Sequence, residues 1–218
     1  MIIYRALASA GLTFALCGCN PLMQASLNTL GASIGSPAPL ALTRAQVDAE
    51  PYYQIEVTTE YGSAVMALVR VQGDLQYWQA SSRQLLLLQN GVVVRTLGFP
   101  DDLLGTRLAP ASPFVSGLQH ITDSQASQRR IDLSPGYLMD IPLTGDLHRS
   151  GIETVRILDQ EHALLRIDEK LDAPIKGMAA TNSYWVDPND GFILKSRQRV
   201  TPSLNVTITQ LRPLREQP

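Results

Sequence analysis

Leu85-Leu86-Leu87-Leu88-Gln89-Asn90-Gly91-Val92-Val93-Val94-Arg95-Thr96-Leu97 is the stretch on which the fold turns. Asn90-Gly91 supplies two successive residues that tolerate positive φ, and it sits between two apolar runs, the strongest short-range signal for a β-hairpin. The runs are continuous rather than alternating, so both faces of this hairpin are expected to be covered.

Working outward, Tyr52 to Glu60 alternates, with Tyr53, Ile55 and Val57 on one face and Gln54, Glu56 and Thr58 on the other. Tyr61-Gly62-Ser63 turns the chain, and strands follow at Ala64 to Val71 and Leu75 to Ala80, separated by Gly73-Asp74. After the hairpin, Gly98 to Gly117 carries Pro100, Pro110 and Pro113 and reads as irregular, with one helical turn over Asp101 to Leu104. Further strands are expected near Gln128 to Leu133, Tyr137 to Ile141, Gly151 to Leu158, Ala163 to Asp168, Asn182 to Val186, Phe192 to Val200 and Leu204 to Leu211. Pro188 to Gly191 and Thr201-Pro202-Ser203 supply turns between the last of these. About ten short strands with turn signals between them predict an all-β fold, an antiparallel β-barrel or strongly curved sheet with one or two short helices. Within Phe192 to Val200, Lys195, Arg197 and Arg199 line one face while Ser196 and Gln198 join Leu194 on the other. Polarity on both faces suits a barrel with a partly wet lumen better than a dry sandwich.

Upstream, Thr43-Arg44-Ala45-Gln46 fits a capping box and opens the folded part; Pro51 ends that helix early. Before it, Cys19 to Leu42 carries no charge and is rich in Ser, Asn, Gly, Ala and Pro, which predicts an extended tether; its scattered Leu, Met and Ile leave a short surface-lying helix open. The first residues read as an export signal: Arg5, an apolar run from Ala6 to Cys17, and the small Gly18. That run is shorter than the roughly 20 residues a spanning helix needs. Leu16-Cys17-Gly18-Cys19 resembles a bacterial lipobox. The resemblance implies diacylglyceryl transfer to the Cys19 sulfur, cleavage before it and acylation of the freed amine. An uncleaved anchor is the alternative. The expected organisation is therefore a lipoprotein signal peptide over 1–18, a flexible tether over 19–42 and a single β-barrel-like domain over 43–218. Asn20 follows the cysteine where an Asp would resemble an inner-membrane retention signal, so the outer membrane is the expected destination.

The 218 residues carry 18 basic and 20 acidic side chains without a basic run or stripe, which argues against nucleic acid as a partner. The two cysteines, Cys17 and Cys19, are too close in sequence for an unstrained disulfide. With Cys19 lipidated, the domain must stand without disulfides or thiolate metal sites.

Several segments taken in order resemble a known family. They are Thr43 through Tyr52, Trp78-Gln79-Ala80-Ser81, Asn90 through Phe99, Tyr184-Trp185-Val186-Asp187, Gly191-Phe192, Lys195-Ser196-Arg197-Gln198 and Pro202 through Pro213. Behind a lipobox, this set is similar to the YjbF/GfcB family of group 4 capsule and exopolysaccharide lipoproteins. The resemblance covers about Thr43 to Pro213. It implies a periplasm-facing outer-membrane lipoprotein with a mostly antiparallel β-barrel, encoded among polysaccharide export genes and not an established enzyme. Ser82 stands where the family pattern suggests an acidic residue.

Catalytic signatures are absent: no Gly-x-Ser-x-Gly elbow, His-Glu-x-x-His helix, P-loop or dinucleotide glycine pattern occurs. His120, His148 and His162 stand alone in separate segments, so no metal and no cofactor is expected. Asp101-Asp102 is the carboxylate pair to weigh for glycosidic cleavage, though neighbours in sequence seldom converge on one substrate. The candidate contacts for glycan or a partner are Trp78 and Trp185, whose indoles could stack on sugar rings, with Arg95 and Arg197 to hold acidic groups. Core packing is the competing role for both tryptophans. The expected function is non-catalytic assistance in polysaccharide assembly or export. The alternatives are a lipid or lipoprotein carrier with a barrel cavity and, third, a polysaccharide-modifying hydrolase.

Overall fold

A computed structural model describes residues 40–215; the expected signal peptide and all of the expected tether before Leu40 lie outside the described residues. Twelve strands form one sheet: β1 (Gln54–Thr59), β2 (Gly62–Gln72), β3 (Leu75–Ala80), β4 (Leu85–Gln89), β5 (Val92–Leu97), β6 (Leu103–Leu108), β7 (Ser124–Leu133), β8 (Leu138–Ile157), β9 (Gln160–Asp172), β10 (Ala180–Val186), β11 (Ile193–Thr201) and β12 (Leu204–Arg212). Among the described residues the short α-helices are α1 (Arg44–Asp48) and α2 (Pro113–Ser116). Thr43 caps α1 as expected, accepting the Gln46 N–H while Gln46 reaches back to the Thr43 N–H (2.8 Å).

Nearly every strand pairs antiparallel with its neighbours in sequence, and β1 also pairs with β12, giving the order β5-β4-β3-β2-β1-β12-β11-β10-β9-β8-β7-β6. The barrel is thus closed by hydrogen bonds between its first and last strands. The one junction without a ladder falls between the consecutive strands β5 and β6. Side chains bridge it: Thr96 Oγ1 donates to Asp102 Oδ1 (2.9 Å) and accepts the Leu103 N–H (2.9 Å). The Asp102 carboxylate also takes the Gly98 and Phe99 N–H groups. The helical turn expected at Asp101 to Leu104 does not form: Leu103 and Leu104 open β6, and Asp102 just ahead of them accepts the Gly98 and Phe99 N–H groups.

Two expected strands, Tyr137 to Ile141 and Gly151 to Leu158, are parts of the single long β8, which runs through Pro142, Gly145 and Gly151. Pro142 is tolerated because β8 pairs there only with β7; pairing with β9 begins at Thr144, so no ladder bond needs its missing N–H.

A barrel's diameter grows with strand number, and eight strands already enclose about as much as side chains fill. Twelve would leave a void unless the section were flattened. Here the β4–β5 hairpin leans onto β11: Gln198 Oε1 accepts the Val93 N–H (3.0 Å), and its Nε2 donates to the Gly91 carbonyl (2.9 Å). At Gly91, φ is +74° and an added Cβ would lie 2.5 Å from Ile193 Cδ1, so both the turn and the close approach require glycine. The largest apolar cluster, with Ile55, Met66, Trp78, Leu86, Ile131, Leu143 and Val206, occupies the interior toward one end. A second, with Phe114, Leu118, Ile121, Leu147, Ile167 and Tyr184, fills the other, where α2 and the 3-10 turn Leu118–His120 act as a plug.

The chain before β1 is bound to the outside of the barrel. Leu40 donates its N–H to Glu56 Oε1 (2.6 Å), Arg44 pairs with Asp159 (3.1 Å), and buried Val47 receives Gln54 Nε2 on its carbonyl (3.0 Å). Nearby on that wall Val155, Ile157, Leu164, Trp185 and Leu194 form a third cluster.

Candidate functional site

The four residues expected to contact glycan are not brought together. Trp78 points into the barrel, is 0% exposed and donates its indole N–H to Gln76 Oε1 (3.2 Å). Trp185 lies on the outer wall but is 5% exposed: Arg166 and Lys195 sit 5.5 and 5.2 Å from its ring, and its N–H donates to Glu153 Oε2 (3.0 Å). Neither indole offers a free face, because each completes a packed cluster. Arg95 and Arg197 are exposed, yet β5 and β11 face each other across the interior, so the two guanidiniums project from opposite walls. Ser82 is exposed in the β3–β4 turn, where it donates to Gln84.

The half-polar lumen is present, and its centre is an ion pair that the sequence did not single out. Arg129 and Glu169 are both buried, linked through Arg129 Nη1 to Oε1 (2.6 Å) and Nη2 to Oε2 (3.0 Å). Ser127 Oγ (2.6 Å), Asn182 Nδ2 (3.0 Å) and the Tyr184 hydroxyl (3.1 Å) also donate to that carboxylate. Burial alone would raise the Glu169 carboxyl, but the Arg129 charge and these donors outweigh it and hold it below the usual glutamate range. Phe114 from the plug lies edge-on to Tyr184 (5.1 Å between centroids) and under the Arg129 guanidinium (5.7 Å). Gly145 makes room: an added Cβ would lie 2.4 Å from Glu169 Oε1 and 2.5 Å from Ser127 Oγ. A carboxylate so fully engaged is a structural anchor and is poorly placed to exchange protons with a substrate.

An open groove of about 430 Å³ lies where β6, β7 and β8 adjoin, lined by Arg107, Leu108, Ala109, Gln128, Arg129, Arg130, Pro142, Leu143 and Thr144. At its rim Arg107 forks onto Asp132 (2.7 and 3.2 Å) and reaches Asp140 (2.9 Å), while Arg130 also binds the Asp140 carboxylate through Nε and Nη2. Hydrogen bonds from Arg130 and Arg107 hold the Asp140 carboxyl below its ordinary range. Each guanidinium has five N–H donors and is about half exposed, 53% for Arg107 and 49% for Arg130, so donors remain for an oxygen-rich ligand. These donors suit an oxygen-rich group at the rim, while Leu108, Ala109, Pro142 and Leu143 make much of the groove's lining apolar. Arg129-Arg130 read in sequence as a solvated strand end; strand alternation sends Arg130 outward and Arg129 into the lumen.

The remaining chemical candidates are dispersed. Asp102 is engaged by the β5–β6 junction, and Asp101 accepts from Ser203. His120 lies beside Gln119 in the plug, His148 beside Asp146 on β8, and His162 on β9. Among the described residues no three His, Cys, Asp or Glu side chains converge as a metal site would require, and no helix is long and apolar enough to cross a membrane.

Three comparisons bear on identity. The uncharacterized lipoprotein GfcB of Escherichia coli (strain K12) is 20% identical over 200 residues, covering 91% of this chain and 94% of that protein. The crystal structure of the hypothetical lipoprotein YmcC from Escherichia coli (K12) superposes with a TM-score of 0.71 at 20% identity, over 93% of this chain and 100% of that one, which shows a shared fold. The profile of the family described as group 4 capsule polysaccharide lipoprotein gfcB, YjbF matches residues 27–211. With that match over most of its length, the chain belongs to the GfcB/YjbF family of group 4 capsule polysaccharide lipoproteins.

Proposed function

We propose that this chain is an outer-membrane lipoprotein anchored through Cys19, facing the periplasm, that assists assembly or export of a surface polysaccharide without catalysing a reaction. Residues 1–18 act as its signal peptide, residues 19–42 as its tether and residues 43–218 as the working domain. It acts by contact with the glycan or with an export partner, and the arginine-rimmed groove of β6, β7 and β8 is the surface best suited to that contact. The observation that carries this reading is the family match over residues 27–211. Support comes from an interior occupied by packed side chains and a saturated ion-pair network, and from an open groove rimmed by Arg107 and Arg130. The filled interior weighs against the carrier alternative, which calls for an apolar cavity within the barrel.

The test is genetic and quantitative. Deleting the gene should lower surface polysaccharide, measured by glycosyl analysis of washed cells. The wild-type gene should restore it, and Cys19→Ala should not. Unchanged polysaccharide after deletion would refute the proposal.

A further inference from the structure

We propose that the β7–β8 hairpin tip is a second membrane contact, inserting Tyr137, Leu138 and Met139 into the bilayer interface beside the lipid anchor. This rests on the anchoring of Cys19 proposed above.

Six strand connections meet at one end of the barrel: β1–β2, β3–β4, β5–β6, β7–β8, β9–β10 and β11–β12. The β7–β8 tip at this end shows three consecutive large apolar side chains to solvent, Tyr137 at 85%, Leu138 at 39% and Met139 at 58% exposed. Leu97, at the close of β5, is exposed at the same end. Such residues scattered singly need no explanation, whereas an uninterrupted triplet at a hairpin apex marks an interaction surface. Exposed Val69 and Val71, near the opposite end, differ: they are interleaved with Arg70 and Gln72 along a strand wall.

The tip is held in shape from below. Gly136, Tyr137 and Asp140 all have positive φ (75°, 50° and 58°), unusual for the two non-glycine residues. The Asp140 carboxylate is gripped by Arg107 and Arg130, and its N–H donates to Asp132 Oδ1 (2.7 Å). Asp140, the charge that follows the triplet in sequence, is therefore already paired, and the apolar side chains are carried on a braced turn. Tyrosine over aliphatic neighbours is the composition that partitions to a headgroup boundary.

The path of the chain favours the membrane as occupant. Leu40 is bound midway along the outer wall at Glu56, and the chain runs from there through α1 toward the opposite end. Leu40, where the described residues begin, thus lies between the two ends of the barrel, with Cys19 a further 21 residues upstream. The 21 steps from Cys19 to Leu40 reach at most about 70–75 Å, so an anchor at Cys19 keeps the tip within reach of the bilayer without by itself fixing the orientation of the barrel. The tip would supply the orientation.

The experiment uses the acylated full-length protein, purified from membranes and reconstituted into phosphatidylethanolamine–phosphatidylglycerol vesicles. An environment-sensitive fluorophore is attached at Met139→Cys, and in a separate sample at Asp74→Cys in the β2–β3 turn of the opposite end. Flotation with the vesicles reports the anchor; quenching by nitroxide-bearing lipids reports insertion. The inference predicts flotation of both, with the label at 139 losing about half or more of its fluorescence, as a depth of about 5–10 Å implies, and the label at 74 losing little. Flotation without quenching at 139, or with equal quenching at both positions, overturns the inference and leaves the anchor standing. A blue shift at 139 without nitroxide quenching assigns the tip to contact with a second copy of the chain and also overturns it. Protein that does not float removes the anchor and the inference together.

Discussion

Replacing Arg129 by Met should be the most damaging single change in the lumen, because it strips the counter-charge from a carboxylate with no exposure to water. Glu169 would keep its donors from Ser127, Asn182 and Tyr184 but lose both bonds from the guanidinium. Breaking one partner of a buried pair costs about 3–5 kcal/mol. For a domain of this size that corresponds to a fall of about 6–20 °C in Tm. The pH dependence should change sign as well. In the native protein the Glu169 carboxyl is depressed, so its contribution is full above the unfolded glutamate value and fades as pH falls through the lower folded value. Without Arg129 the burial effect prevails, the carboxyl rises above its unfolded value, and acid then favours folding by up to about 1.4 kcal/mol per pH unit. Adding Glu169→Gln removes the orphaned charge; its amide oxygen at the Oε2 position can accept from Asn182 and Tyr184 while its NH2 donates to the Ser127 hydroxyl, so R129M/E169Q should regain about 2 kcal/mol or more at neutral pH. Urea unfolding followed by the fluorescence of Trp78 and Trp185 reads all of this. A cost under about 1 kcal/mol for R129M, or a double variant no more stable than R129M at neutral pH, would refute the description of the pair as a charge-balanced anchor.

Other positions make separate predictions. Gly145→Ala drives a Cβ into Glu169 and Ser127 and should cost about 1–3 kcal/mol, with thermal denaturation as the readout. Gln198→Leu leaves the Val93 N–H and Gly91 carbonyl without their partner, for a loss of about 1–3 kcal/mol, and should raise amide exchange in the β4–β5 hairpin selectively. Asp102→Ala removes the acceptor for Thr96, Gly98 and Phe99; faster exchange should appear along β5 and β6 before the rest of the barrel opens. Tyr137→Ser, at an exposed tip, should shift stability by no more than about 0.5 kcal/mol in the same urea assay.

How much of this was legible in the sequence depends on the range of the signal. The Asn90-Gly91 hairpin, the Thr43 capping box and the strand within Tyr52 to Glu60 are local codes and form where they were expected, but Gln54 and Glu56 on the polar face of that strand are buried under the chain near Leu40 and Val47. Trp78 illustrates the limit. Its strand is correctly placed, but whether an indole faces the core or a ligand depends on register against β2 and β4, which no local pattern states. β6 was missed because Pro100 and Pro110 mask a strand that is held on one side by a ladder to β7 and on the other by Thr96 and Asp102. The Arg129–Glu169 pair was invisible for a further reason. The partners are 40 residues apart, and only the closing of the barrel puts both inside. The groove depends on register rather than closure, since Arg107 and Arg130 meet only through the pairing of β6 with β7.

The claim beneath all of this is that the barrel hangs from lipid at Cys19. Intact-mass spectrometry of the protein extracted from its own membranes tests it most directly. The account predicts a chain that starts at residue 19 and carries the added mass of acyl chains on that cysteine. A chain still bearing residues 1–18, or a Cys19 with a free thiol, would contradict it.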